Sequence, residues 1–548
     1  MLEKFLSQTE FSSYEDFRAN CHLRVPPQFN FAYDVVDAWA ESEPEKRALV
    51  HLNDAGEVTT YTFEDVRRRS NQAAHALARL GIGKGDVVML ILKQRPEVWF
   101  TLVALNKLGA IAIPASFLLT AKDIVYRWQW ARVKMLITTD DAVVTAHVQE
   151  ALPECPEPRL WATVGSNPPA GALDYRALCA AESTEFPRPA DAACDSDPML
   201  AYFSSGTSGW PKMIQLDCAY PVGHIITAKY WQHVQNNGLH LTAVDSGWAK
   251  FAWGKIYGQW ICGSAIAAYD TEKFTPAGML KAIETLKVTT FCAPATVYRF
   301  MIHEDIRAFD LSSVKQCSMA GEPLNPEVFN RWKELTGMPL VEGFGQSETT
   351  VLIANFGWDP VKPGSTGKFA PNYDLEIIGE DGEPCEDGEV GRLLIRHTEP
   401  VHPIGLFRGY VRDEEAMARH FHDGNYDTGD MAWRDADGYI WFVGRSDDII
   451  KCSGYRIGPF EVESALMEHP SVIECAVTAA PDPDRGQVVK ATIVLKPGIE
   501  GTPELVKELQ NHVKQTTAPY KYPRIVEFVK ELPKTHSGKI RRNAIRES

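Results

Sequence analysis

The chain lacks paired cysteines: its 11 thiols are scattered singly, with no C-x-x-C anywhere. That argues against a zinc ribbon or a dithiol redox motif. It suits a reduced, cytoplasmic protein whose cysteines pack as small hydrophobes. Long hydrophobic runs are missing too. The longest, such as "VVMLIL" from Val87, falls far short of the roughly 18–20 residues a membrane helix needs. The start, "MLEKFLSQTEFSSYEDF", carries acids and no apolar h-region, so no secretory signal is expected. There is no excess of basic charge: 56 Lys and Arg stand against 72 Asp and Glu, a net −16, which argues against a general nucleic-acid partner. Internal repeats, low-complexity tracts and any Ser-His or Cys-His nucleophile constellation are also absent.

What is present is ordinary globular composition, 45% apolar and 10% aromatic, over 548 residues, a length that suggests several domains. From Val87 the chain alternates short apolar runs with amphipathic stretches. "VVMLILK" reads as a strand, "PEVWFTLVALNKLG" as a helix opened by Pro96 and closed by Gly109, "AIAIP" as a strand, "AKDIVYRWQWARV" as a helix and "KMLITT" as a strand. This is the texture of βαβ units and a parallel sheet. Residues 152–200, rich in Pro, Ala and Glu, read as a surface connector. Between about 365 and 445 short strands separated by Asp-Gly turns predict antiparallel structure. The last hundred residues alternate strand and helix again. The expected fold is α/β: a large N-terminal domain, 1–446, with a β-rich subdomain, then a small C-terminal α/β domain, 447–548.

The stretch "YFSSGTSGWPKMIQL" from Tyr202 places many small residues ahead of one lysine. It is not a Walker A loop, because Pro211 stands where glycine must precede the lysine. No dinucleotide fingerprint exists; "GIGKGD" from Gly81 follows a helix and precedes a strand, the wrong order. Phosphate chemistry still fits. Gly206 and Gly209 let backbone N–H groups crowd an anion, Ser204, Ser205, Thr207 and Ser208 add hydroxyls, and Lys212 adds a charge. A flexible Ser/Gly linker has the same composition, but the apolar lead-in favours a loop held by a strand.

Six motifs then occur in order: "YFSSGTSGWPK", "MAGEPL" at Met319, "EGFGQSE" at Glu342, "YDTGD" at Tyr426, "GRSDDIIKCSGYRIGPFEVE" at Gly444 and "PKTHSGKIRR" at Pro533. Together they resemble the adenylate-forming superfamily of acyl-CoA synthetases, luciferases and adenylation domains, from about Phe29 to the C-terminus. "GYRIGPFEVESALMEHPSV" and "TAPYKYPR" are most similar to medium-chain acyl-CoA synthetases. The resemblance implies a ligase (an acid–thiol ligase, AMP-forming) using ATP, Mg²⁺ and coenzyme A, without a covalent enzyme intermediate. It implies that Lys539 bridges carboxylate and α-phosphate as the catalytic residue, against the plainer reading of one more lysine in a basic tail. Nine Lys/Arg against two Glu between Lys514 and Arg546 make that tail a local basic face in an acidic chain.

The same resemblance assigns ATP and AMP contacts to Ser204, Ser205, Gly206, Thr207, Ser208, Gly209 and Lys212. Gly321 and Glu322 border the adenine. Glu342, Gly343, Phe344, Gly345, Gln346 and Ser347 surround the adenine, ribose and α-phosphate. Asp430 takes the ribose hydroxyls, since a carboxylate accepts two hydrogen bonds; Arg445 and Arg456 approach ribose and phosphate. Glu348 is the implied Mg²⁺ ligand, with Thr207 nearby. Asp447 falls at a hinge about which the small domain rotates between half-reactions. Ser453, Gly454 and Tyr455 wall the pantetheine tunnel. Arg485, Lys514, Tyr522, Pro523 and Arg524 hold the nucleotide end of coenzyme A, unless they are ordinary surface residues.

For the acid, "DSGWAKFAWGKIYGQWICG" from Asp245 lies where relatives build the acyl pocket, here expected at Trp253, Lys255 and Gly258. Trp248, Trp253, Tyr257 and Trp260 crowd it, which favours a short or medium chain, straight or branched, over a long one, unless these rings are simply core. An aromatic acid such as benzoate, or an adenylating enzyme that does not use coenzyme A, stays open. The partners expected are small molecules, in fatty acid metabolism, with no membrane span.

Overall fold

The computed structural model describes residues 1–204, 210–322, 324, 326–452, 455–483, 485–534 and 540–547. Arg456 is described through its backbone. Two large sheets dominate the first 370 residues. In the first, Pro198–Ser204, Ile111–Pro114, Val87–Ile91, Val133–Thr139 and Leu160–Val164 run parallel, and Lys212–Asp217 returns antiparallel against Pro198–Ser204 at one side. The strand Val87–Ile91 is buried on both faces, which is why it reads as an unbroken apolar run rather than an alternation. The helix Glu97–Leu108 ends at Gly109, which adopts the left-handed conformation that closes a helix. Thr120 opens the helix Ala121–Ala131 with a capping box to Asp123.

The second sheet takes Leu340–Phe344, Gln316–Ala320, Thr290–Ala293, Leu239–Thr242, Ala265–Asp270 and Arg47–Asn53 in parallel, with antiparallel edges. Both sheets send the ends of their parallel strands toward functional segments. Pro198–Ser204 runs directly into the glycine-rich stretch, and Leu340–Phe344 into "GQSE". A five-stranded antiparallel sheet follows, built from Leu375–Ile378, Gly391–Ile395, Phe421–His422, Asn425–Arg434 and Ile440–Arg445. The last sheet pairs Val472–Asp482 with Gly486–Leu495 in a long hairpin, flanked by Ile450–Cys452, Tyr455–Ile457 and Ile525–Phe528. Its core (Ile450, Val462, Leu466, Val477, Ile493, Leu509 and neighbours) is a cluster separate from those of the large sheets.

One segment departs from its composition. Residues 152–200 are not merely a connector: Leu160–Val164 and Leu173–Asp174 add strands to the first sheet, and Tyr175–Ala180 forms a helix. The buried Trp161, whose indole N–H donates to Thr138 Oγ1 at 3.1 Å, anchors the strand that the Pro-rich flanks disguise.

Candidate functional site

Ser204 and Lys212 pair across the hairpin, so the two ends of the glycine-rich stretch are held side by side. Ser205, Gly206, Thr207, Ser208 and Gly209 lie outside the described residues. Beyond them Trp210 stacks on Tyr126, centroids 4.4 Å apart and planes within 16°. The Tyr126 hydroxyl donates to the Pro211 carbonyl at 2.9 Å. The Lys212 ammonium sits 5.1 Å from the centroid of the Tyr410 ring. Tyr410 in turn donates to Glu348 Oε1 at 2.9 Å. Burial and the adjacent Glu348 carboxylate raise the Tyr410 phenol, keeping it a donor. Thus Lys212 and Glu348, 136 positions apart, meet across one tyrosine.

A second knot joins three distant motifs. Gln346 Nε2 donates to Asp430 Oδ2 at 2.6 Å and to the Thr428 carbonyl at 2.7 Å, while Tyr426 donates to Gln346 Oε1 at 2.8 Å. Arg445 Nη1 donates to the Thr428 carbonyl at 3.0 Å and lies 3.5 Å from Asp430 Oδ1. Asp430 and Arg445 are register partners on adjacent strands, which fixes their approach. Burial works against the Arg445 charge, but Asp430 and Asp447 prevail and hold its pKa above the ordinary value. Ser347 and Glu348 follow in the turn after Gln346.

Gly343 and Gly345 owe their lack of a side chain to packing. A Cβ on Gly343 would lie 2.4 Å from Trp231 Cε2, and one on Gly345 would lie 2.4 Å from Trp253 Cη2 and 2.6 Å from the Thr350 carbonyl. Two indoles therefore underlie the segment from Gly343 to Gly345, and Trp253 is set directly beneath Gly345. Phe344 faces Phe442, centroids 5.6 Å apart. Glu342 is buried, and burial pushes its carboxyl up to about 8, far above the ordinary carboxylate range. Gly321 follows the strand Gln316–Ala320; Glu322 accepts from Thr296 Oγ1 at 2.7 Å.

The acyl wall requires corrections. Lys255 is buried, with its ammonium hydrogen-bonded to Gln94 Oε1 at 2.6 Å and to the Ala267 carbonyl at 3.3 Å, so it is directed into the sheet rather than toward an acyl group. At Gly258 a Cβ would lie 2.1 Å from the His224 carbonyl, so the missing side chain serves the contact between two helices. Trp260 is core, donating to the Ala48 carbonyl at 2.9 Å. Trp253 is buried, with Trp231 and His224 as ring neighbours. Trp231 and Tyr410 carry no motif signal and escape sequence reading; Tyr426 opens the "YDTGD" motif, but only its contact with Gln346 gives it a place in the site.

In the C-terminal part, Lys514 and Arg524 converge on Tyr522. The ammonium lies 4.1 Å and the guanidinium carbon 4.8 Å from the ring centroid, and Arg524 Nη1 donates to the Tyr522 hydroxyl at 2.7 Å. Gln510 Nε2 donates to the Pro523 carbonyl at 2.9 Å, tying that segment to the neighbouring helix. Tyr455 stacks on Tyr520 with centroids 4.1 Å apart. Arg485 sits in the turn of the long hairpin, its N–H held by Asp482. Asp447 lies just beyond the strand Ile440–Arg445. Ser453, Gly454, Lys539 and the Arg456 side chain lie outside the described residues.

Residues 36–411 match the family described as AMP-binding enzyme, and residues 461–539 match the AMP-binding enzyme C-terminal domain. The chain is 39% identical to the human mitochondrial acyl-coenzyme A synthetase ACSM4, across 97% of this chain and 93% of that one. It is 40% identical to the rat mitochondrial acyl-coenzyme A synthetase ACSM5, across 95% and 91%. Among solved structures it resembles the anthranilate CoA ligase AuaEII in complex with anthranoyl-AMP, at TM-score 0.87 and 29% identity, covering 95% of this chain and 98% of that one. A Brucella canis acyl-CoA synthetase matches at TM-score 0.75 and 32% identity, covering 98% and 99%. These relatives named as mitochondrial overturn the cytoplasmic expectation: scattered reduced thiols are equally compatible with other compartments, and cysteine usage could not discriminate. With nearly the whole length matched in sequence and fold, the chain belongs to the AMP-binding enzyme family, where it groups with the medium-chain acyl-coenzyme A synthetases as an AMP-forming acid–thiol ligase.

Proposed function

We propose that the chain activates a short- to medium-chain carboxylic acid, straight or branched, in two half-reactions performed at one nucleotide site. The acid first attacks the α-phosphate of ATP, giving acyl-adenylate and pyrophosphate; the thiol of coenzyme A then displaces AMP. The observation that carries this reading is the Gln346–Asp430–Arg445 knot, which brings "GQSE", "TGD" and "GR" to one point. Asp430 presents a carboxylate to two ribose hydroxyls, with Gln346 and Arg445 fixing its orientation. Lys212 and the hydroxyl-rich stretch before it supply donors and charge to the triphosphate, where negative charge gathers in the transition state. Lys539 bridges the reacting carboxylate and the α-phosphate.

Glu348 suits a magnesium ion. Among the described residues no group of three or more His, Cys, Asp or Glu forms a cage, and magnesium beside nucleotide phosphates characteristically takes only one or two carboxylates. The ion supplies charge neutralisation to the phosphates. Tyr410 orients the Glu348 carboxylate toward that task. The Lys514–Tyr522–Arg524 cluster receives the phosphates and adenine of coenzyme A, and Asp447 is the hinge about which residues 447–548 exchange the two half-reactions.

Trp231 and Trp253 under the nucleotide turn limit the acyl volume. The same indole wall suits a flat ring, and the neighbour bound to anthranoyl-AMP favours an aromatic acid as the second reading. A pyrophosphate-release panel across straight, branched and aromatic acids, with and without coenzyme A, separates them. Preference for short or branched acids supports the lead reading; preference for benzoate-type acids replaces it. In the same assay Lys539→Ala is expected to abolish acyl-adenylate formation while thioester formation from supplied acyl-adenylate persists. Equal loss of both halves contradicts the division of labour.

A further inference from the structure

Glu348, the carboxylate that suits magnesium, is held at two points. The Phe407 N–H donates to its main-chain carbonyl at 2.7 Å, and the Tyr410 hydroxyl donates to its Oε1 at 2.9 Å. Where that hydroxyl points depends on what fixes the Tyr410 ring. Phe407 meets the ring edge-on with centroids 4.8 Å apart, and the Lys212 ammonium lies 5.1 Å from its centroid. His420 adjoins it as well, with centroids 5.6 Å apart. Phe407 offers packing without a polar tether, and Lys212 is a charge on a flexible stem. His420 is different in kind.

His420 is the last residue of the helix Glu414–His420, where the chain turns into the short strand Phe421–His422. Its Nδ1 lies 2.8 Å from the Asp427 carbonyl oxygen. A carbonyl can only accept, so Nδ1 carries the hydrogen and the rotation of the ring is set. The anchor is itself fixed. Asp427 Oδ1 accepts from the Gly429 N–H and Oδ2 from Arg392 Nη1, both at 2.8 Å, on a strand paired with Gly391–Ile395. Burial, helped by the Lys212 and Arg445 charges, holds the imidazole pKa below its ordinary value against the Asp427 carbonyl and the Glu348 carboxylate, which favours the neutral ring. Packing alone would be served by a phenyl ring; the imidazole adds one directed bond. A continuous series of contacts thus runs from Arg392 through Asp427, His420 and Tyr410 to Glu348.

We propose that His420 is a positioning residue for the first half-reaction: tethered to the Asp427 carbonyl, it fixes the Tyr410 ring and so the direction in which Glu348 presents its carboxylate. Groups behind a metal ligand act in this way, by orienting what orients the ligand. The inference rests on the reading of Glu348 as the magnesium ligand.

The test uses the full-length protein with His420→Ala, His420→Phe, Tyr410→Phe, the His420→Ala and Tyr410→Phe double variant, and Glu348→Gln. Calorimetric titration without acid reads the binding of ATP with magnesium and of AMP without it; pyrophosphate release is followed alongside. His420→Ala is expected to weaken magnesium-dependent ATP binding about tenfold, the lower end of what partners behind a metal ligand cost, and to raise the magnesium needed for half-maximal pyrophosphate release about as much. AMP binding stays unchanged, because Tyr426 keeps its own bond to Gln346. His420→Phe, which keeps a ring but loses the tether, recovers part of the loss. Added to Tyr410→Phe, His420→Ala costs little more, since both act through one hydroxyl. Equal weakening of ATP and AMP binding with a lowered melting temperature shows a structural role only and overturns the proposal. Additive losses in the double variant overturn it too, by separating His420 from Tyr410. Unchanged ATP binding in His420→Ala beside a weakened Glu348→Gln overturns the positioning role alone. Unchanged magnesium dependence in Glu348→Gln overturns the reading of Glu348, and the proposal with it.

Discussion

Glu342 is a carboxylic acid held out of water in the middle of the buried strand Leu340–Phe344, directly before Gly343. An ionised carboxylate there would repel phosphate; the neutral form does not. Burial raises its folded pKa to about 8, above the roughly 4.3 of an unfolded glutamate. In the window between those values the folded chain binds the extra proton, so this residue's contribution to stability falls as pH rises from about 4.3 and is lost through pH 8. Glu342→Gln is therefore expected to flatten the melting-temperature profile between pH 6 and 9, as scanned by calorimetry; an unchanged slope contradicts the raised pKa. Gly345 makes a different demand. Alanine there would press 2.4 Å from Trp253 and 2.6 Å from the Thr350 backbone, and backbone cannot step aside. Gly345→Ala should cost about 1–3 kcal/mol by chemical denaturation, as overpacking does, and depress pyrophosphate release. Relief of the activity loss by Trp253→Phe would confirm the contact.

At the scale of elements, the hairpin Pro198–Ser204 with Lys212–Asp217 is braced from outside by the helix Ala121–Ala131. Trp130, Tyr126 and Trp210 form a ladder of rings, 5.8 and 4.4 Å between successive centroids, and the Lys122 ammonium lies 5.0 Å from the centroid of the exposed Trp210 ring. A ring stack of this kind is worth about 1 kcal/mol beyond the area it buries, so Trp210→Ala is expected to raise the KM for ATP about fivefold. The KM for coenzyme A should not move, and steady-state kinetics on both substrates read the difference. A matching rise in both would show a general loss of fold rather than a weakened brace. Tyr126→Phe, losing only the bond to the Pro211 carbonyl, should have a smaller effect in the same direction.

At the scale of the whole molecule, the core of the last hundred residues shares none of its side chains with the other clusters. All 14 tryptophans lie before it, the last being Trp441. Indole fluorescence therefore reports the large part alone, while far-ultraviolet dichroism reports both. Leu466→Ala, emptying a fully buried site, should destabilise the small part by about 2–5 kcal/mol and shift the dichroism transition without moving the fluorescence transition. Coincident shifts would show that the two parts unfold as one unit.

Much of this was legible in the residues. Alternating apolar runs and amphipathic helices announced the parallel sheets, because strand and helix periodicities leave different marks, and six ordered motifs announced the family. Local chemistry also marked a helix end: Gly109 takes the left-handed conformation through its own backbone. What the sequence alone could not decide depends on what stands opposite a residue once the chain is folded. Lys255 and Gly258 sit in a stretch that reads as a pocket wall, yet Gln94 and the His224 carbonyl claim them from elsewhere in the chain. The glycines of "EGFG" read as room for phosphate, and the fold fills the space beside them with Trp231 and Trp253. Periodicity and motif order are encoded along the chain, so sequence determined the sheets and the chemistry; burial, pairing and steric opposition arise between distant segments, so only the tertiary structure decided which side chain meets which.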